Sequence, residues 1–199
     1  MIPADMGSAY DDELWELVPE FGAGRPPEHI VKFVHSLGQA ERALDLGCGD
    51  GRLTNELDAL KLYAADVSQV ALARARNRLG PDAQIVELTL DAPLPLEDTQ
   101  FDLVLCAETL EHVRDVQFVV SEIRRVLRPG GTLAVTTPAH SRLTGLRILI
   151  RGFDTVFDPF SPHLRFFTKR SLTRLLGELG YDVRSIRREK GTLLAVARR

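Results

Sequence analysis

The sequence predicts an α/β protein, with a mostly parallel sheet covered by helices on both faces in a single domain spanning residues 1–199. Three observations carry this. From about residue 40 onward, short apolar runs of strand length alternate with stretches of helical periodicity. The first of those runs leads directly into a glycine turn, Gly47-Cys48-Gly49-Asp50-Gly51. The chain has 199 residues, 44% hydrophobic and 27% charged, which suits one core and is too short for two ordinary domains.

The elements follow in order. Leu14, Leu17, Val18 and Phe21 recur at i, i+3, i+4 and i+7, and Ile30, Phe33, Val34 and Leu37 repeat the pattern after Pro26-Pro27. Residues 1–40 therefore hold two helices. Next come a strand at Ala43–Gly47, a helix through Leu57, a strand at Leu62–Asp66, a helix from Ser68 to Leu79 and a strand at Gln84–Leu90. A strand at Phe101–Ala107 follows, then a helix carrying Val116, Val119, Val120, Ile123 and Leu127, then a strand at Thr132–Thr137 after the Pro129-Gly130-Gly131 turn. Residues 41–137 thus form the core, and ligands are expected beyond the carboxyl ends of its strands.

Residues 138–167 form a long interval holding Phe153, Phe157, Phe160, Phe166 and Phe167. Its length suits either a substrate lid or a helical insertion packed over the core. Residues 168–199 close the chain with a helix on Leu172, Leu175, Leu176 and Leu179, capped by Thr168 and ended by Gly180. An antiparallel hairpin of Asp182–Arg188 and Thr192–Ala197 turns at Gly191.

Composition excludes several classes. No run approaches the roughly 20 apolar residues of a bilayer span, and the opening MIPADMGSAYDDELWE lacks a secretory pattern, so a cytoplasmic protein with no membrane partner is expected. Cys48 and Cys106 have no zinc or CxxC spacing. The net charge of −3 is uneven: residues 1–139 carry 12 basic and 23 acidic side chains, residues 140–199 carry 13 and 5. That basic third fits an anionic ligand or solvated helix faces alike.

The glycine turn departs from the dinucleotide fingerprint Gly-x-Gly-x-x-Gly, because Arg52 stands where spacing asks for the last glycine. Asp45 and Asp50 flank it. A pyrophosphate there would meet like charge, at a cost on the order of 1–4 kcal/mol. A cationic ligand suits the turn better.

With Asp45-Leu46-Gly47-Cys48-Gly49, Asp66 ending the second strand, Asp91-Ala92 after the third, the Leu94–Val104 run and Leu127-Arg128-Pro129-Gly130-Gly131, the chain resembles the class I S-adenosylmethionine-dependent methyltransferases of the type 11 kind over roughly residues 40–199. The resemblance implies a Rossmann-like sheet in the order 3-2-1-4-5-7-6 with the last strand antiparallel. It also implies S-adenosylmethionine as methyl donor. Asp45, Gly47, Cys48, Gly49, Asp66, Val67, Asp91, Ala92 and Cys106 would line the donor site, Asp66 at the ribose hydroxyls and Asp91 at the adenine. In that topology strands one and four are neighbours, which brings Cys48 and Cys106 toward the pocket as reduced thiols.

Methyl transfer needs alignment and exclusion of water, with a base when the acceptor carries a proton. Glu108, Glu111 and His112 follow strand four, and His112 is the candidate base, or else a group that orients the next helix. His163 could reach the same mouth or be structural. Glu108-x-x-Glu111-His112 with His163 is also similar to the divalent-ion site of small-RNA 3′-end 2′-O-methyltransferases, which makes a metal-assisted O-methyltransferase an alternative. A small molecule is favoured over RNA as acceptor, since no appended RNA-binding module or dense lysine tract is present. A non-catalytic S-adenosylmethionine-binding module and a nucleotide-dependent oxidoreductase are the rivals.

Overall fold

The computed structural model describes residues 5–17, 24–153, 157 and 163–199. Seven strands form one sheet: β1 (Ala40–Leu46), β2 (Ala59–Asp66), β3 (Gln84–Glu87), β4 (Phe101–Ala107), β5 (Leu127–Pro138), β6 (Asp182–Glu189) and β7 (Thr192–Arg198). The helices are α1 (Asp5–Leu17), α2 (Glu28–His35), α3 (Gln69–Leu79), α4 (Val116–Val126), α5 (Arg142–Arg151) and α6 (Lys169–Glu178). The strand order is β3-β2-β1-β4-β5-β7-β6, as the resemblance implies. β1 to β5 pair in parallel, and β7 runs antiparallel to both β5 and β6.

Period-two alternation sorts each strand's side chains between two layers. Leu44, Leu46, Val104, Cys106, Leu133 and Val135 pack with Val120, Ile123 and Val126 of α4 and with Leu172 and Leu176 of α6. Ala43, Leu103, Leu105, Ala107 and Ala134 pack with Ile30, Phe33 and Val34 of α2. Fully burying a leucine or isoleucine contributes about 1.5–3 kcal/mol. Buried polar contacts then fix the layers in register. His29 of α2 meets Thr192 Oγ1 at 3.1 Å, and the Tyr181 hydroxyl donates to the Val120 carbonyl at 3.0 Å.

Helix ends follow the capping residues. Ser68 Oγ accepts from Ala71 N–H at the start of α3. Thr168 and Ser171 form a reciprocal capping box on α6, and Gly180 at φ 81° stops the chain from continuing it.

Three local expectations are corrected. The helix expected after the glycine turn shrinks to a 3-10 turn at Thr54–Glu56, because Gly51 is held at φ 78° and Leu57 is already extended. Too few residues remain between them for two α-turns. β3 ends at Glu87 rather than Leu90. β5 begins at Leu127, and its register against β4 shifts between Phe101 and Leu103, which absorbs the Pro129-Gly130-Gly131 turn as an irregularity. The positions of Val18, Phe21 and Phe160 lie outside the described residues.

Candidate active site

The sheet reverses its winding between β1 and β4, where an open α/β sheet leaves a crevice beyond the strand ends. The glycine turn enters this crevice from β1. Gly47 N–H and Cys48 N–H both donate to the Ala65 carbonyl, at 2.8 and 3.0 Å, and Gly49 N–H donates to Asp66 Oδ2 at 2.8 Å. Asp66 Oδ1 accepts from Ser68 N–H at 3.0 Å. The turn and the end of β2 are therefore one hydrogen-bonded unit, with Val67 between its two anchors. Each Asp66 oxygen keeps further lone-pair capacity for a ligand.

Asp91 and Ala92 stand apart from that unit. Asp91 is exposed and pairs with Arg114 at 3.3 Å. Cys48 and Cys106 are both reduced and buried, and burial pushes both thiols far above their ordinary range. Cys106 is enclosed in the core beneath the crevice rather than exposed in its wall.

The charge premise drawn from the sequence needs correction at two residues. Asp50 is neutralised by Arg52 at 2.8 Å and Arg78 at 3.1 Å. Asp45 is buried, its Oδ2 accepts from the Thr54 hydroxyl at 2.6 Å, and burial pushes its carboxyl up to about 7. The other carboxylates nearest the turn are Asp66, itself raised by burial, and those of α1. That helix lies across the crevice: Asp12 Oδ1 accepts from Ser68 Oγ and from Val70 N–H, and burial, followed by the Asp66 charge, raises Asp11. Trp15 covers Gly49 so closely that a Cβ there would lie 2.5 Å from the indole. Arg74 sits over the same ring at 6.0 Å.

The raised Asp45 has a measurable consequence. The folded protein holds a proton that the unfolded chain releases near pH 3.8, so this group's contribution is full at low pH and is lost as pH rises to about 7. Glu111, pushed up to about 7 mainly by burial, acts with the same sign. Asp45→Asn retains an acceptor for Thr54 and is expected to raise Tm by on the order of 5 °C near pH 8, with little change near pH 4. Equal shifts at both pH values, read by thermal denaturation, would refute the buried-proton account.

The other half of the crevice is built by three segments after β4, after β5 and before α6. Thr109 Oγ1 donates to the Leu46 and Ala107 carbonyls, and a Cβ on Gly47 would lie 2.4 Å from it. The β4 loop thus packs directly on the glycine turn. Glu108 Oε1 accepts from Thr136 Oγ1 at 2.9 Å, and Glu111 Oε2 accepts from Thr137 Oγ1 at 3.0 Å. The Glu111 carbonyl accepts from Leu164 N–H and Arg165 N–H, which draws His163 against His112 with ring centroids 4.8 Å apart. His112, His163 and Glu111 have ligand atoms all within 4.8 Å of one another. Glu111 Oε1 is buried without a hydrogen-bond partner.

His140, directly after β5, was not singled out in the sequence. It lies 5.0 Å from the Phe166 ring, its Nδ1 is buried without a partner, and burial together with the His163 charge holds it below the ordinary histidine range. The one signal that could have found it is its position at the carboxyl end of a central strand.

A model of the methyltransferase domain matches residues 44–135. The chain is 34% identical over 152 residues to malonyl-(acyl-carrier protein) O-methyltransferase of Enterobacter lignolyticus, covering 73% of this chain and 58% of that protein. The chain belongs to the class I S-adenosylmethionine-dependent methyltransferases. Other relatives of this chain include a ubiquinone biosynthesis O-methyltransferase of Paracidovorax citrulli, 33% identical over 62% of this chain and 56% of that one. Mouse NDUFAF5, named an arginine-hydroxylase, is 31% identical over 72% of this chain and 43% of that one. The chain spans about half the length of the curated relatives it matches.

Among solved structures, a methyltransferase from Aquifex aeolicus has a TM-score of 0.66 at 20% identity, over 87% of this chain and 94% of that one. The (4+2)-cyclase SpnF has 0.68 at 20%, over 86% and 80%. At such identity the likeness is one of fold.

Proposed function

We propose that this methyltransferase carries the methyl group of S-adenosylmethionine to an oxygen or nitrogen of a small-molecule acceptor, in the cytoplasm. The observation that supports it most is the packing of Thr109 on Gly47. It sets the donor half, with Asp66, beside the half that holds Glu111, His112, His163 and His140.

The donor already carries its activation in the sulfonium, so the residues here need only to align and dehydrate. Gly47 and Gly49 bring backbone close to the methionine portion, and Asp66 accepts from the ribose hydroxyls. α1 excludes water from above through Trp15. An acceptor lone pair forms the new bond to the methyl carbon while the carbon–sulfur bond breaks, its electrons passing to sulfur. The acceptor's proton goes to His112, which is exposed and releases it to solvent, while His163 orients the ring.

Donor labelled in its methyl group, offered with phenols, hydroxy acids and amines, is expected to yield S-adenosylhomocysteine and a labelled acceptor. Donor that binds and is never turned over would favour the binding-module reading instead.

A second form of the reaction is favoured by the donor set at the mouth. One carboxylate and two imidazoles within 4.8 Å, with Glu111 Oε1 buried and unpartnered, fit a magnesium, manganese or zinc ion. Glu111, His112 and His163 would hold it, whereas Glu108, the fourth ligand of the resemblance, is engaged with Thr136. Such an ion supplies Lewis acidity that lowers the pKa of an acceptor hydroxyl. Manganese titrated into the protein is expected to bind at one site, with affinity reduced at least about tenfold in His163→Ala. Chelator should stop turnover and leave donor binding intact. Absence of manganese binding, together with turnover indifferent to chelator, rules the ion out.

A further inference from the structure

α5 faces the wrong way for a helix of a protein surrounded only by water. Leu146, Leu149 and Ile150 are 51%, 84% and 73% exposed, while Ile148 on the opposite side is partly buried. Gly152, at φ 87°, ends the helix, and Phe153 just beyond it is 62% exposed. Single exposed apolar side chains are ordinary, but three large ones on one helix face, with a fourth just past its end, mark a contact surface.

From Phe153 a series of rings leads to the mouth of the crevice. Phe153 and Phe157 lie 5.0 Å apart, Phe157 and Phe166 4.4 Å, and Phe166 and His140 5.0 Å. An apolar track therefore runs from the acceptor histidines to Phe153, just past the end of α5.

The charge along this stretch of the sequence is positive. Residues 139–169 hold Arg142, Arg147, Arg151, Arg165 and Lys169 against Asp154 and Asp158, and both aspartates lie outside the described residues. Arg147 and Arg151 are exposed on α5 itself. A single exposed helix with an apolar stripe and arginines beside it has the form that enters a headgroup layer lying flat. No helix among the described residues is long and apolar enough to cross a membrane.

We propose that the outer face of α5 docks this enzyme on an anionic lipid surface, so that an amphiphilic acceptor reaches the histidines along the phenylalanine track without leaving the bilayer. The docking stands on the surface alone; the delivery of an acceptor rests on the methyl-transfer reading above. The sequence pointed to no membrane partner because its apolar runs are too short to span, a test that does not address peripheral contact.

The test is co-sedimentation of the full chain with vesicles of phosphatidylglycerol mixed with phosphatidylcholine, with neither donor nor acceptor present. Pelleting is expected with these vesicles, weaker with pure phosphatidylcholine, and reduced by salt. Leu149→Glu and Ile150→Glu alter exposed side chains and should each lower vesicle affinity by about tenfold or more, with donor binding unchanged by Trp15 fluorescence. Pelleting that ignores both substitutions would overturn the proposal, as would absence of pelleting. So would a protein that fails to bind vesicles but self-associates through a contact that Leu149→Glu abolishes, because the stripe would then join two copies. Failure on vesicles leaves methyl transfer standing, and vesicle binding without transfer to any acceptor would leave the surface standing and remove the delivery role.

Discussion

Asp66→Ala is expected to raise the Kd for S-adenosylmethionine by about ten- to hundredfold. The gross value of two charge-assisted bonds to ribose hydroxyls is about 1.5–3 kcal/mol each, and exchange with water leaves a part of that as net affinity. The structure adds a second route to the loss. Gly49 N–H and Ser68 N–H both use this carboxylate, so alanine also releases the glycine turn from the end of β2. Asp66→Asn separates the two effects, since its amide oxygen still accepts one of those bonds. It should therefore lie between wild type and alanine. The chain's single tryptophan, Trp15, sits on Gly49, so its fluorescence reports donor binding directly alongside calorimetry. Unchanged affinity in Asp66→Ala would refute the donor site.

Gly47→Ala is expected to lower Tm by about 5–15 °C. Two costs add. Gly47 is held at φ 75°, where a Cβ is strained by about 1 kcal/mol or more, and that Cβ would meet Thr109 Oγ1 at 2.4 Å and Cγ2 at 2.5 Å. Thr109 cannot swing aside freely, because its hydroxyl is bonded to the Leu46 and Ala107 carbonyls. Overpacking of this kind costs about 1–3 kcal/mol, for a total of about 2–4 kcal/mol. Adding Thr109→Ala in the Gly47→Ala background should recover the packing part and leave the backbone strain. A Gly47→Ala protein as stable as wild type would mean that the β4 loop does not rest on the turn. The proposed union of donor and acceptor halves would lose its support.

The readable parts of the site were those encoded over a few residues. The run from Asp45 to Gly51 shows its turn because glycines stand at three alternate positions, held at φ between 53° and 78°, which glycine adopts without a Cβ penalty. Asp66 ends a short apolar run, and the helix that follows begins at a serine cap. His112 and His163 were named as candidates, yet their approach to 4.8 Å depends on Glu111's carbonyl receiving the backbone of residues 164 and 165. Nothing local encodes that. The misjudged Asp50 is similar in kind, since Arg78, one of the two arginines that neutralise it, lies 28 residues away.

By itself, the sequence determined the alternation of strands and helices, the glycine turn, the cap at Thr168, and the family to which the chain belongs. Those are short-range properties, set by side-chain period, by φ preference and by hydrogen bonds across three or four residues. Only the tertiary structure decided that α1 closes over the turn through Trp15 and Asp12, that burial raises the Asp45 carboxyl, that His140 joins the crevice beside His163, and that α5 turns Leu146 and Leu149 outward. Each of these depends on which surfaces meet across the sheet or are left uncovered. Burial and long-range pairing are properties of the packed whole, and no periodicity along the chain carries them.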